Sequence, residues 1–261
     1  MSLETAGATL AYDDLVIARD LSVAIPEHEF TVVIGPNACG KSTLLKALSR
    51  LIAPRAGAVT LDGRDVGAYG AKEFARALAL LPQSSQAPSG ITVGDLVARG
   101  RFPHQRFLRQ WSVADEEAVG RAMAATGVDD LADRLMDELS GGQRQRAWLA
   151  MVLAQETGAL VLDEPTTFLD IAHQIEVLEL CERLHAEGDR TIVAVLHDLN
   201  QAARYGTHVI AMREGEVVAQ GRPEDVITES LVADVFGVRA SVVPSPDHGA
   251  PLVVPLGLVA A

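Results

Sequence analysis

Two kinds of hydrophobic pattern alternate along this chain. Short apolar runs rich in β-branched residues occur at Phe30–Ile34, at 160–162 and at 191–196, which is typical of buried parallel strands. Between them, apolar residues recur at helical spacing over 44–51 and over 171–184. This alternation predicts an α/β fold in which helices cover a mostly parallel sheet.

Three stretches depart from that alternation. Residues 209–219 read as a β-hairpin that turns around Gly215, and residues 113–153 are mostly helical with no convincing strand. The end of the chain carries four prolines and is predicted to be a loosely attached tail. The predicted domains are therefore an α/β core at 1–84 and 155–237, an inserted helical subdomain at 85–154, and a tail at 238–261.

Composition and charge narrow the functional classes. With 48% hydrophobic residues among 261, the chain has enough apolar surface for a sizeable core. Its 35 acidic and 22 basic residues give a net charge of −13, which disfavours nucleic acid as the main partner. No run approaches the roughly 20 apolar residues of a membrane-spanning helix, and two cysteines fit a reducing compartment. We therefore expect a cytosolic chain.

A phosphate-binding motif follows the first predicted strand and opens the first predicted helix. Glycines let backbone N–H groups approach phosphate oxygens, and the helix N-terminus adds partial positive charge. In this motif Lys41 is expected to reach the β- and γ-phosphates of a nucleotide and Ser42 to hold Mg²⁺. The nine residues that match the pattern are Gly35, Pro36, Asn37, Ala38, Cys39, Gly40, Lys41, Ser42 and Thr43.

Two adjacent carboxylates follow the apolar run at 160–162. Asp163 and Glu164 stand where this strand ends, and open α/β sheets bind their ligands at the carboxyl ends of strands. We expect Asp163 to act on the metal and its water shell, and Glu164 to orient or deprotonate an attacking water. An ordinary acidic loop is the alternative, which the phosphate-binding motif disfavours.

A third motif lies between the first two in the chain. Ser140 is a candidate helix N-cap, Gln143 completes a capping box with it, and two glycines between them leave room for an anion. The motif comprises Leu139, Ser140, Gly141, Gly142 and Gln143. With its flanking motifs it resembles the signature of the ATP-binding cassette family. The resemblance covers about residues 3–235 and implies a P-loop ATPase core with an antiparallel N-terminal β part.

The resemblance also implies roles for single residues. Tyr12 stands where the family places an aromatic ring that stacks on adenine, with core packing as the alternative. Gln83 matches a glutamine that contacts the metal and nucleotide and links them to the membrane partner. Asp170, in the loop 168–170, matches a residue that reaches the opposing subunit. His197 matches the histidine near the γ-phosphate.

Part of the sequence points to a subtype within the family. Residues 91–104, 167–174 and 249–255 resemble ATPase subunits of importers for iron(III)-siderophores and for haem or cobalamin. This resemblance implies a head-to-tail homodimer with each ATP between Lys41 of one copy and 140–143 of the other. It also implies a separate transmembrane permease, an extracytoplasmic cargo-binding protein, and a location on the cytoplasmic side of the membrane. A soluble ATPase of iron–sulfur cluster assembly is the alternative.

Two further expectations concern individual side chains. Cys39 lies near a helix N-terminus, which lowers a thiol's pKa and favours a reactive thiolate; the alternative is that it is packed away and inert. The segment from Gln83 to His104, with Arg99 and Arg101, is expected to face the permease. Ala38 stands where the family often has glycine, so its backbone torsion is open to question.

Overall fold

The computed structural model describes residues 1–84, 86–105, 111–167, 169–188 and 190–259. Its contacts divide the chain into two compact units, one of Met1–Ala68 with Thr191–Ala261 and one of Tyr69–Arg190. These bounds differ from the three predicted domains, because the second unit holds strands as well as the predicted helical insert. The predicted functional division therefore stays a prediction.

Strands and helices alternate through most of the described chain. The strands are β1 (Leu3–Tyr12), β2 (Leu15–Ile25), β3 (Phe30–Ile34), β4 (Ala56–Leu61), β5 (Arg64–Asp65), β6 (Leu78–Leu81), β7 (Ala159–Leu162), β8 (Thr191–Val195), β9 (His208–Arg213), β10 (Glu216–Gly221), β11 (Val238–Pro244) and β12 (Pro251–Leu258). The α-helices are α1 (Lys41–Leu48), α2 (Ala71–Ala77), α3 (Val93–Ala98), α4 (Val113–Thr126), α5 (Gly141–Ala154), α6 (Ile171–Glu187), α7 (Leu199–Tyr205), α8 (Pro223–Val226) and α9 (Glu229–Phe236).

The first unit contains two larger sheets. One is antiparallel, with strand order β2-β1-β4-β5. In the other, β3 lies between β8 and β9 and is parallel to both. All five residues of β3 are buried, as its uninterrupted apolar sequence predicts. Because β3 and β8 are in register, their carboxyl ends lie at one edge of this sheet.

The predicted hairpin around Gly215 is confirmed. Strands β9 and β10 pair antiparallel, and the turn residues Glu214 and Gly215 have φ of 52° and 84°. Two consecutive residues with positive φ give the turn a twist that suits a tight hairpin. The backbone N–H of Gly215 donates to the carbonyl of Cys39 at 2.9 Å, so this turn supports the phosphate-binding loop.

The C-terminal segment is not a loose tail, and that expectation is wrong. Strands β11 and β12 pair antiparallel over most of their length. On α7, the side-chain amide of Asn200 accepts from the Val253 N–H at 2.7 Å and donates to the Val253 carbonyl at 3.3 Å. Glu229 accepts from the Val242 N–H at 3.0 Å. Side chains thus satisfy backbone groups on both outer edges of the hairpin.

In the second unit, β6 and β7 are parallel and in register. Helices α3, α4 and α5 follow β6 in the chain and precede β7. Within 86–105 and 111–154, the part of the predicted insert that the structure describes, the β structure amounts to one isolated bridge between Thr92 and Leu135. Across the described residues, no helix is both long enough and apolar enough to cross a lipid bilayer.

The expectation that Arg101 faces a permease is wrong. Its side chain is buried, and its Nε donates to Asp115 at 2.9 Å. Its Nη1 donates at 2.7 Å both to the Ala154 carbonyl and to Glu156. Arg101 therefore holds the start of α4 to the end of α5, whereas Arg99 is exposed.

Candidate functional site

The phosphate-binding motif forms the turn between β3 and α1. Gly35 has φ of 152° and Gly40 has φ of 108°, torsions that side chains disfavour. A Cβ on Gly35 would also collide with the carbonyl oxygen of Met212 on β9. Both glycines are therefore required by the shape of the loop.

Lys41 lies inside this loop. Its side chain is buried, and its Nζ donates to the carbonyls of Gly35 and Pro36 at 2.9 and 2.8 Å. The loop thus holds a cation at its centre, beside the N–H groups of the first turn of α1 that have no acceptor within the helix. This cradle fits the phosphate groups of a nucleotide.

Two residues of the loop, Ala38 and Cys39, bear differently on the sequence-based expectations. Ala38 has φ of 62°, so the position does adopt the left-handed torsion that glycine tolerates best. Cys39 is 4% exposed, and burial raises the pKa of its thiol despite the nearby charge of Lys41. The expectation of a reactive thiolate at Cys39 is therefore wrong, and the inert alternative describes the structure.

His197 lies at the sheet edge where the phosphate loop begins. It comes two residues after the end of β8. The N–H of Leu196, between the strand and His197, donates to the Val33 carbonyl of β3 at 3.3 Å.

Tyr12 lies at the end of β1 and is 38% exposed, so its ring is not part of the core. The Nζ of Lys46 lies 5.6 Å from the centroid of that ring. The exposed ring leaves a face available for stacking.

The second unit places a group of polar side chains at the carboxyl ends of β6 and β7. Gln83 donates from Nε2 to Glu164 Oε2 at 2.8 Å, and Thr167 donates from Oγ1 to the same oxygen at 2.9 Å. Glu164 has φ of 54°, a strained torsion of the kind that occurs at functional sites. Asp163 is 3% exposed, and its N–H donates to the Leu81 carbonyl at 2.9 Å. The two hydrogen bonds from Gln83 and Thr167 fix the orientation of the Glu164 carboxylate.

The predicted capping box at the start of α5 is present. The Gln143 N–H donates to Ser140 Oγ at 3.3 Å, and the Ser140 N–H donates to Gln143 Oε1 at 3.1 Å. Ser140 and Gly141 are exposed. Gln145 donates from Nε2 to the Pro165 carbonyl at 2.9 Å, so the same helix also holds the backbone directly after Glu164.

Asp170 is the N-cap of α6 rather than a free loop residue. Its Oδ1 accepts from the His173 N–H at 2.9 Å and from His173 Nδ1 at 2.7 Å. These two hydrogen bonds lower the pKa of Asp170. Phe168, which the sequence places in the same loop, lies outside the described residues.

The predicted metal ligands are oxygen donors of the type that Mg²⁺ prefers. Ser42 belongs to the first unit, and Gln83 and Asp163 belong to the second. Within the described residues, no three or more His, Cys, Asp or Glu side chains form a metal-holding cluster.

Sequence reasoning assigned no individual role to three residues that the structure connects to these motifs. Gln145 and Asn200 carry no sequence signal, because their partners are backbone carbonyls or amides remote in the chain. His173 could have been found, since a side chain three residues after an N-cap can bond back to it. Each of the three supports a predicted site residue or the helix that follows one.

Comparison with known proteins identifies the family. Residues 18–167 match the ABC transporter family, and the chain belongs to it. The chain is 55% identical to the ferric enterobactin transport ATP-binding protein FepC of Escherichia coli (strain K12), over 97% of this chain and 93% of that protein. It is 50% identical to the petrobactin import ATP-binding protein FpuD of Bacillus anthracis, over 98% and 94%.

A solved structure of an ABC transporter in an inward-facing conformation has the same fold. It superimposes with a TM-score of 0.83 at 25% identity and covers 98% of this chain and 97% of that one. The predicted α/β class with a parallel sheet and an antiparallel β part is therefore confirmed. The chain is an ATPase of the ABC type.

Proposed function

We propose that this chain is the ATP-hydrolysing subunit of a bacterial importer for an iron(III)-siderophore. The observation that carries the proposal is the match along nearly the whole chain to two siderophore-system ATP-binding proteins, at 55% and 50% identity. The sequence left open a haem or cobalamin importer and a soluble assembly ATPase. A cobalamin import ATP-binding protein of Halobacterium salinarum is less similar, at 40% identity over 98% of this chain and 64% of that protein.

One group of residues binds ATP, and a second group around Glu164 activates the attacking water. Lys41 and the loop amides bind the phosphates, Tyr12 stacks on the adenine, and His197 contacts the γ-phosphate. Glu164, oriented by Gln83 and Thr167, takes a proton from the attacking water. Ser42, Gln83 and Asp163 are the residues that would hold Mg²⁺, which would neutralise phosphate charge.

A second copy of the chain completes the site. The exposed Ser140 and Gly141, at the N-terminus of α5, suit an anion supplied by a partner. In a head-to-tail homodimer they would meet the γ-phosphate of ATP bound at Lys41 of the other copy. Asp170 lies in the same unit and is exposed as well.

The permease would dock on the exposed part of the segment that follows Gln83. Phe102 is 63% exposed there, with Lys72 Nζ 4.8 Å from the centroid of its ring. This surface, together with the exposed Arg99, replaces the buried Arg101 as the expected contact. The proposed location is the cytoplasmic face of the membrane, with an extracytoplasmic protein that delivers cargo to the permease.

Glu164→Gln tests the hydrolysis mechanism. The amide oxygen of Gln still accepts hydrogen bonds but takes no proton, so we expect unchanged ATP affinity and a kcat lower by about 10²–10⁴-fold. ATP should then trap a dimer, measured by gel filtration. Glu182→Gln, an exposed position on α6, is the matched control. A Glu164→Gln variant with wild-type turnover would refute the general-base role.

Uptake in cells tests the cargo. The chain, its own permease and its cargo-binding protein are expressed in a host that lacks siderophore ATPases, and the cells are supplied with labelled ferric siderophore, haem or cobalamin. We expect uptake of the ferric siderophore and its loss with Glu164→Gln. Uptake of cobalamin or haem alone would assign another cargo, and no membrane association at all would favour the assembly ATPase.

A further inference from the structure

The two glycines of the signature motif differ in their surroundings. A Cβ on Gly141 would have nothing within 4 Å. A Cβ on Gly142 would lie 2.6 Å from Cδ2 and 2.9 Å from Nε2 of the His173 ring. The imidazole of His173 therefore occupies the space that a side chain at Gly142 would need.

The opposite edge of the same ring is also held. His173 Nδ1 donates to Asp170 Oδ1 at 2.7 Å, and the His173 backbone N–H donates to the same oxygen at 2.9 Å. The ring is thus fixed between the first turn of α5, at Gly142, and the N-cap of α6, at Asp170. All three residues lie in the second compact unit.

We propose that His173 is a positioning residue for ATP hydrolysis. It fixes the signature turn and Asp170 relative to each other, so that both reach ATP on the opposing copy in one geometry. This inference rests on the proposed head-to-tail function. In this role His173 acts through Gly142 and Asp170.

The chemistry of the side chain explains why a histidine suits this position. A flat ring approaches the glycine closely, and Nδ1 supplies a donor at the distance that Asp170 requires. A purely apolar side chain would fill the space without orienting Asp170. A small amide would orient Asp170 without filling the space, and looser placement of reacting groups by about 1 Å costs about 10²-fold in rate.

Three substitutions separate these contributions. His173→Asn keeps a donor at the place of Nδ1 but removes the ring, whereas His173→Phe keeps a ring against Gly142 but removes the donor. His173→Ala removes both. Each is made in the wild-type chain for turnover and in the Glu164→Gln chain for ATP-driven dimerisation by gel filtration. Binding of a fluorescent ATP analogue to the monomer and thermal unfolding are measured in parallel.

We expect monomer affinity for the analogue to change less than twofold, because Lys41 and the phosphate loop are untouched. His173→Ala should lower kcat and weaken ATP-driven dimerisation by about tenfold each, with smaller losses for His173→Asn and His173→Phe. KM for ATP should rise less than kcat falls. Gly142→Ala should be harmful in the wild-type chain and less so in the His173→Ala chain, since the steric conflict is gone.

Two outcomes would overturn the role of His173. One is wild-type kcat and dimerisation in His173→Ala. The other is a loss that follows thermal stability equally in all three variants, with additive effects of Gly142→Ala. A Glu164→Gln parent that stays monomeric with ATP would instead overturn the proposed head-to-tail function and the His173 role with it.

Discussion

At the scale of single residues, the surroundings of Cys39 matter more than its place in the chain. A helix N-terminus and the charge of Lys41 both favour a thiolate. Burial opposes them and prevails, so the pKa of the Cys39 thiol is raised. Burial likewise raises the pKa of Cys181 to about 12. Neither thiol is activated in the folded chain.

A thiol titration checks this conclusion. In the native protein near pH 7.5, we expect both cysteines to react with a disulfide reagent far more slowly than in a denatured sample, where both react at once. Cys39→Ser should keep ATP turnover and leave the slow native rate almost unchanged. Fast native labelling that disappears in Cys39→Ser, and that ATP prevents, would restore the reactive-thiolate hypothesis.

Ala38 carries a torsional cost that glycine would avoid. Its φ of 62° costs a residue with a Cβ about 1–2 kcal/mol, and part of that cost is offset because glycine is more flexible when unfolded. We expect Ala38→Gly to raise the free energy of unfolding by up to about 1 kcal/mol with ATP affinity kept, as measured by urea denaturation. A destabilised variant would mean that the methyl group makes a contact worth more than the strain.

At the scale of elements, Arg101 holds α4 to the end of α5. Removing one partner of a buried ion pair leaves the other charge uncompensated and costs about 3–5 kcal/mol. We expect Arg101→Met to lower the free energy of unfolding by that amount, as measured by urea denaturation. Arg99→Met, at an exposed neighbouring position, should change it by less than about 0.5 kcal/mol. Equal effects of the two substitutions would contradict the structural role.

Asn200 attaches the C-terminal hairpin to α7. Asn200→Ala leaves the N–H of Val253, a buried residue, without its acceptor, and such a loss costs about 1–3 kcal/mol. We expect lower stability and faster hydrogen exchange at the Val253 amide. Glu229→Ala, which removes an exposed acceptor on the other edge, should have a smaller effect. An unchanged exchange rate at Val253 would show that the hairpin is held by other contacts.

These elements show what could be predicted from the sequence. The phosphate loop, the capping box and the strand that ends directly before Asp163 follow from contiguous residues, so local patterns predict them. The partners of Arg101 lie 14, 53 and 55 residues away, and those of Asn200 lie 53 away. Because such contacts depend on the folded chain, no local pattern distinguished buried Arg101 from exposed Arg99. For the same reason, no local pattern predicted the C-terminal hairpin of β11 and β12.

At the scale of the whole molecule, titratable groups make stability depend on pH in two ranges. Burial would raise the pKa of Asp115 and Glu156, but hydrogen bonds and the charge of Arg101 outweigh it and lower both. Burial lowers the pKa of His208, partly opposed by Glu29, and its buried Nε2 has no hydrogen-bond partner among the residues that the structure describes. In all three cases the unfolded chain binds protons more readily than the folded one.

The sign of the effect follows from that difference. Stability from neutral His208 is present above its unfolded pKa of about 6.5 and decreases as the pH falls through the lowered folded value. Stability from Asp115 and Glu156 is present above their unfolded values of about 4 and decreases below them. We therefore expect the free energy of unfolding, measured by urea denaturation from pH 8 to pH 3, to fall in two steps.

Two variants assign the steps to their residues. His208→Asn should remove most of the fall that begins near about pH 6.5 and leave the acid step in place. Arg101→Met should weaken the acid step without removing it, because Asp115 keeps its hydrogen bond from Ser112 and Glu156 keeps the one from Arg121. The upper step should be unchanged. A wild-type profile that is flat from pH 7 to pH 5, or an upper step that persists in His208→Asn, would contradict the part assigned to His208.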